Sequence, residues 1–110
     1  MEYQVKINRM SKELDVKEKI KIKDTSNGIS LDALSKEVAQ TGEKIVVDVD
    51  YFVMLDVHNE HSEQLDYETC VIMDKTGVKY YTSSKPFITQ FLSIADEIIE
   101  AEIDDWQVEV

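Results

Sequence analysis

The sequence predicts a small α+β domain, mostly β: a curled antiparallel sheet or small barrel with one long and one short helix. Two observations carry that prediction. Every odd position from Ile45 to Val57 is apolar (Ile45, Val47, Val49, Tyr51, Val53, Leu55, Val57), a period of two that marks one buried face of a strand. Phe87, Ile88, Phe91, Leu92, Ala95, Ile98 and Ile99 recur at three- and four-residue spacing, the apolar stripe of an amphipathic helix. At ~3.3 Å per residue the run from Ile45 to Val57 would extend about 43 Å. A strand that long, in a chain of 110 residues, must bend to stay covered.

Taken in order, Tyr3, Val5 and Ile7 alternate with polar residues and suit a short strand or an ordered arm. Arg9 to Lys17 is ambiguous, with Met10 and Leu14 at a helical spacing. Ile20 and Ile22 alternate with Lys19, Lys21 and Lys23, the pattern of a strand with a basic outer face. Ser26-Asn27-Gly28 is a turn signal. Ser30 then suits the N-cap of a helix over about 31–40, stopped by Gly42. After the long strand, Asn59 to Asp66 is a polar loop and Tyr67–Asp74 a second strand. Asp74-Lys75-Thr76-Gly77 makes a hairpin turn with Gly77 at a positive-φ position, and Val78–Ser83 returns as the third strand. Pro86 opens the long helix, about 85–103, where a missing N–H costs nothing. Trp106, Val108 and Val110 alternate with Gln107 and Glu109 in a last strand. These elements divide the chain into an N-terminal arm, 1–18, and one domain, 19–110.

The chain carries a net charge of −11, which opposes loose attraction to phosphate. The charge is segregated. Residues 1–23 hold seven bases against four acids, and the rest hold five lysines against nineteen acids. The single Cys70 sits in an apolar run and reads as a small buried hydrophobe, so no disulfide framework is expected. Without an apolar run of membrane-spanning length or a signal-peptide core, the protein is expected to be soluble and cytoplasmic, with no membrane partner.

No GxGxxG, Walker, GxSxG or CxxC pattern occurs, and an enzyme is not expected. His58, Glu60, His61 and Glu63 share one loop with metal-ligand residue types, but such loops beside strands are ordinarily solvated, so no metal or other cofactor is expected. The aromatics are more informative. Phe52 and Met54 interrupt the polar face of the long strand, Tyr67 opens the second strand, and Tyr80-Tyr81 places one ring on each face of the third. Aromatics flanked by lysine on a curved sheet are what single-stranded nucleic acid stacks on, at ~1–3 kcal/mol per base. The same rings could instead lie under the helix or the N-terminal arm.

Tyr80-Tyr81-Thr82-Ser83-Ser84-Lys85-Pro86-Phe87-Ile88, between a hairpin and a helix, resembles a passage of the single-stranded-DNA-binding proteins encoded by phages of Gram-positive bacteria. The likeness covers roughly residues 19–110 and rests mainly on Gly77 to Ile99. It implies an OB-like barrel, without the family's last strand, and a sequence-independent coat on exposed single strands during phage replication. Phe52, Tyr67, Tyr80 and Tyr81 are then the stacking candidates, and Lys21, Lys23, Lys75, Lys79 and Lys85 the phosphate contacts. The partners so implied are single-stranded DNA and a replication or host protein, with a homodimer left open by the final edge strand. The competing expectation is an acidic protein-binding module that imitates nucleic acid against a host or defence enzyme. It is motivated by Asp48, Asp50 and Asp56 on one strand face and by the acidic end of the long helix.

Overall fold

The computed structural model describes residues 3–24, 28–60, 65–103 and 105–109. Six strands and three helices follow in the order β1 (Tyr3–Met10), α1 (Val16–Lys23), β2 (Ile29–Ser30), α2 (Leu31–Thr41), β3 (Val46–Asn59), β4 (Asp66–Asp74), β5 (Lys79–Thr82), α3 (Lys85–Glu100) and β6 (Trp106–Glu109). The long apolar run is β3, and the whole sheet is assembled on it. One edge of β3 pairs with β4 from Val49 to His58. Its other edge is divided: β1 takes Val53 to Asn59 and β6 takes Val46 to Val49. The strand order is therefore β1-β3-β4-β5-β2, with β6 beside β3.

The α+β class agrees with the sequence, but the sheet neither closes into a barrel nor is purely antiparallel. Its far edge is the two-residue β2, parallel to β5. A barrel strand hides one face and shows the other. Here five consecutive residues of β3, Tyr51–Leu55, and five of β4, Thr69–Met73, are buried, so both sheet faces must be covered. On one face lie α2 and α3, over Val47, Val49, Phe52, Met54, Cys70 and Ile72. On the other, Leu14 and Ile22 cover Tyr51, Val53, Leu55, Val57, Val71 and Met73.

The odd positions of β3 do not share one face. Val49 pairs with Asp74 but Tyr51 with Met73, a one-residue shift that inserts Asp50 as a bulge. The bulge inverts the alternation: Val47 and Val49 face α3, whereas Tyr51, Val53, Leu55 and Val57 face α1. Phe52 and Met54 then continue the α3 face. The same inversion puts Asp48 and Asp56 on opposite faces, so they form no common acidic edge. A second shift, between Ile7 and Arg9, bulges β1 at Asn8, whose side-chain amide donates to Asp56 at 3.1 Å.

The helices differ from expectation twice. Ile20 and Ile22 belong to α1, not to a strand. Asp15 caps the helix by accepting from the Glu18 N–H at 2.8 Å, and only Ile22 is buried while Ile20 is 65% exposed. α2 starts at the Ser30 cap and ends at Gly42 with φ 73°, as its sequence indicates. α3 contains the whole stripe but ends at Glu100 rather than at about 103, and Glu102 turns to φ 56°. Within the stretch expected as an arm, Tyr3–Met10 contributes a full strand to the sheet and Leu14 part of the core. The Ser26-Asn27 turn and the loop residues His61 and Glu63 lie outside the described residues. Among the described residues no helix is long and apolar enough to cross a membrane.

Candidate nucleic-acid interface

The nine residues singled out in the sequence separate into distinct environments. Phe52 is fully buried and meets Phe91 edge-on at 5.1 Å, where no base can reach it. Tyr80 leans on the α3-side core, and burial, with Asp74 nearby, raises its hydroxyl pKa. Lys75 sits in the β4–β5 turn with its ammonium on Asp105, a bond that raises its pKa. Lys85 is exposed at the start of α3, bordering a recess it shares with Tyr67 and Ser83.

Three of the nine converge. Tyr67, Tyr81 and Lys79 line a cleft of about 200 Å³ between α1 and the β4–β5 strands, floored by Leu55, Val57 and Val71. Its wall includes Ile22 and Asp24, so Lys21 and Lys23 belong to the same helix end, although Lys21 itself lines a separate recess with Asp50, Tyr51 and Asp74. Both tyrosines are half-buried, each with one side on the α1-face core. Across the mouth, the hydroxyls of Thr69 and Ser83 are hydrogen-bonded at 2.8 Å.

Lys79 has a structural duty there. It is 6% exposed, and its ammonium donates to the Lys21 carbonyl at 3.0 Å and to the Asp24 carbonyl. These acceptors lie where α1 ends, so Lys79 satisfies backbone groups that have no helical partner. Burial lowers its pKa, and the nearby Asp24 charge partly restores it. Gly28, at φ 126°, brings the returning chain directly onto Lys79 and Tyr81. A Cβ there would stand 3.1 Å from the Lys79 side chain and 3.2 Å from the Tyr81 ring.

The sequence reading missed Lys17 and Lys19 as partners of Lys21 and Lys23. The available signal was Asp15-x-x-Glu18, the spacing of a helix start, which distributes the four alternating lysines around one short helix, with Lys17, Lys21 and Lys23 exposed and Lys19 half-buried. Val16 and Ile20, 71% and 65% exposed, share that helix.

A second recess, about 630 Å³, adjoins the cleft through Val57 and Tyr67 and has a more acidic character. Cross-strand rows Lys6–Asp56–Glu68 and Gln4–His58–Asp66 form its floor. The His58 Nδ1 lies 2.8 Å from Asp66 and its Nε2 3.6 Å from Glu60, and the Asp66 hydrogen bond, with help from Glu60, raises the imidazole pKa. No group of three or more metal-ligating side chains occurs among the described residues. Cys70 is fully buried, and burial pushes its thiol up to about 12, so it offers no nucleophile.

Acidic charge collects at the end of α3 and along β6. Asp96 pairs with Arg9, Asp105 with Lys75 and Glu109 with Lys44. Among the described residues Glu97, Glu100 and Glu102 form no ion pair. Comparison of the chain with family models, curated proteins and solved structures finds no match.

Proposed function

We propose that the protein binds single-stranded DNA without sequence readout, as a phage- or prophage-encoded coat protein, along α1 and the cleft beneath it. One observation carries the reading. Among the described residues the most basic element is α1, with Lys17, Lys19, Lys21 and Lys23, and it borders through Ile22 the cleft that holds Tyr67 and Tyr81. Ammonium groups spaced along a backbone track, beside rings that accept any base, are the requirements for sequence-tolerant single-strand binding. Lys85, on the far side of Tyr67, extends the track. Lys79 supports the site from within rather than touching the strand, and Phe52, buried on the opposite face of the sheet, takes no part in it. The phage assignment rests on the likeness of Gly77 to Ile99 to that family.

The test is fluorescence anisotropy of a labelled oligo-dT strand titrated with the protein at several salt concentrations. Four lysine–phosphate contacts give a log–log salt slope of roughly −3, at ~0.7 per contact for single strands. Tyr81→Ala should weaken binding about tenfold, and Lys21→Glu with Lys23→Glu should flatten the slope. Absence of binding at low salt sinks the reading.

A second reading has its own observation: the unpaired carboxylates Glu97, Glu100 and Glu102 at the end of α3, which could stand where phosphates lie in a host or defence enzyme. A partner captured from host lysate and retained after nuclease treatment favours it over the coat protein.

A further inference from the structure

β6 is a free edge. It pairs with β3 along one side, and among the described residues no strand lies along the other. Beside it runs a groove of about 250 Å³ between β6 and α3, lined by Phe87, Phe91, Ile94, Trp106 and Val108. The rings stack in a row, Phe87 on Phe91 at 5.9 Å and Phe91 on Trp106 at 5.5 Å, and Ile94 is 54% exposed above them. Unpaired strand groups next to an apolar trough are the two elements of strand addition: main-chain bonds hold the incoming segment and the trough takes its alternate side chains.

Charge selects the occupant. No lysine or arginine lines the groove, and the α3 face that presents Gln90 and Ile94 continues into Glu97. On the opposite face of β6, Gln107 bonds Asp48. Glu109 projects on that face too, held by Lys44 in a pair whose ammonium side chain is 75% exposed and replaceable. An added strand therefore meets an apolar trough on one face and the Glu109 carboxylate on the other. A second copy of the chain fits poorly, because it would bring the same acids and a further charge of −11 against them. We propose that this edge binds an extended segment of another protein in which apolar residues alternate with lysine or arginine, added as a strand to β6.

Trp106 is the only tryptophan in the chain and reports directly on the groove. The experiment titrates the full chain with a capped heptapeptide alternating lysine and valine while following Trp106 emission. A saturable one-site change is expected, at least tenfold weaker for the same peptide N-methylated at alternate residues and for the Ile94→Lys protein. Ile94 is exposed, so that variant should keep the parent urea midpoint. Three results overturn the proposal: no emission change up to millimolar peptide, an equal response to the peptide with glutamate in place of lysine, or sedimentation showing a dimer that Ile94→Lys dissociates, which would assign the edge to a second copy.

Discussion

Replacing Lys79 by methionine distinguishes a lysine that holds the fold from one that holds phosphate. Methionine keeps the apolar length of the stem but removes the ammonium. What is lost is the pair of charge-assisted bonds to the Lys21 and Asp24 carbonyls, which hold the end of α1. Such bonds contribute about 1.5–3 kcal/mol each. Against them stands the cost of burying the ammonium, visible in its lowered pKa, which methionine avoids. The net expectation is a loss of about 2 kcal/mol.

The loss should be local before it is global. α1 has eight residues, fewer than the roughly 12–15 an isolated helix needs, so its anchors decide whether it persists. Urea unfolding of Lys79→Met should show a lowered midpoint, and amide exchange should accelerate first between Lys19 and Lys23. Oligo-dT affinity should fall with it, because the basic wall loosens. Lys21→Met is the control: its side chain is exposed, so stability should change by less than ~0.5 kcal/mol while affinity falls. If Lys79→Met leaves the urea midpoint and the exchange of α1 untouched, the anchoring account is wrong. A loss of affinity alone would return Lys79 to the role of phosphate contact.

Two further outcomes follow from the core and from His58. Phe52→Ala removes a fully buried ring in contact with Phe91 and should cost about 3–5 kcal/mol in urea unfolding; a cost below ~1 kcal/mol with an oligo-dT defect would place the ring at the interface instead. His58 has a folded pKa above the ordinary 6.5, chiefly through Asp66, so its stabilisation is fully present below about 6.5 and disappears as pH rises through the folded value. His58→Gln should therefore be less stable than the parent at pH 5.5 and equal to it well above the folded pKa. An NMR titration with a midpoint at or below 6.5 contradicts this.

The elements most legible in the sequence were those whose local signals agree. Ser30 and Gly42 bracket α2, Pro86 opens α3, and Gly77, at φ 93°, closes the β4–β5 turn where its position in the sequence requires it. The Asp74 carboxylate completes that turn by accepting from the Thr76 and Val78 N–H groups at 2.9 and 2.8 Å. α1 was lost because Ile20 and Ile22 satisfy a period of two by accident, and a stretch of eight residues is too short to show the difference. The candidate interface was legible in its residue types but not in its membership. Nothing local says that Lys79 turns inward to a helix end while Tyr81, two residues on, borders the cleft.

The barrel expectation failed for a reason that was visible in β3. An unbroken alternation assigns Phe52 and Met54 to the polar face as exceptions, yet two large apolar residues directly after Asp48 and Asp50 mark a change of phase rather than two anomalies. With Asp50 bulged, the α3 face of the strand reads Val47, Val49, Phe52, Met54 and the α1 face Tyr51, Val53, Leu55, Val57. Each face is then apolar in its own segment, and each needs its own cover. That is why a chain this short uses helices on both sides of one sheet instead of rolling the sheet up. It is also why the basic segment lies where it does. Once the second apolar face exists, α1 must cover it with Ile22, which lines the tyrosine-lined cleft, and its lysines are carried along on the same short helix.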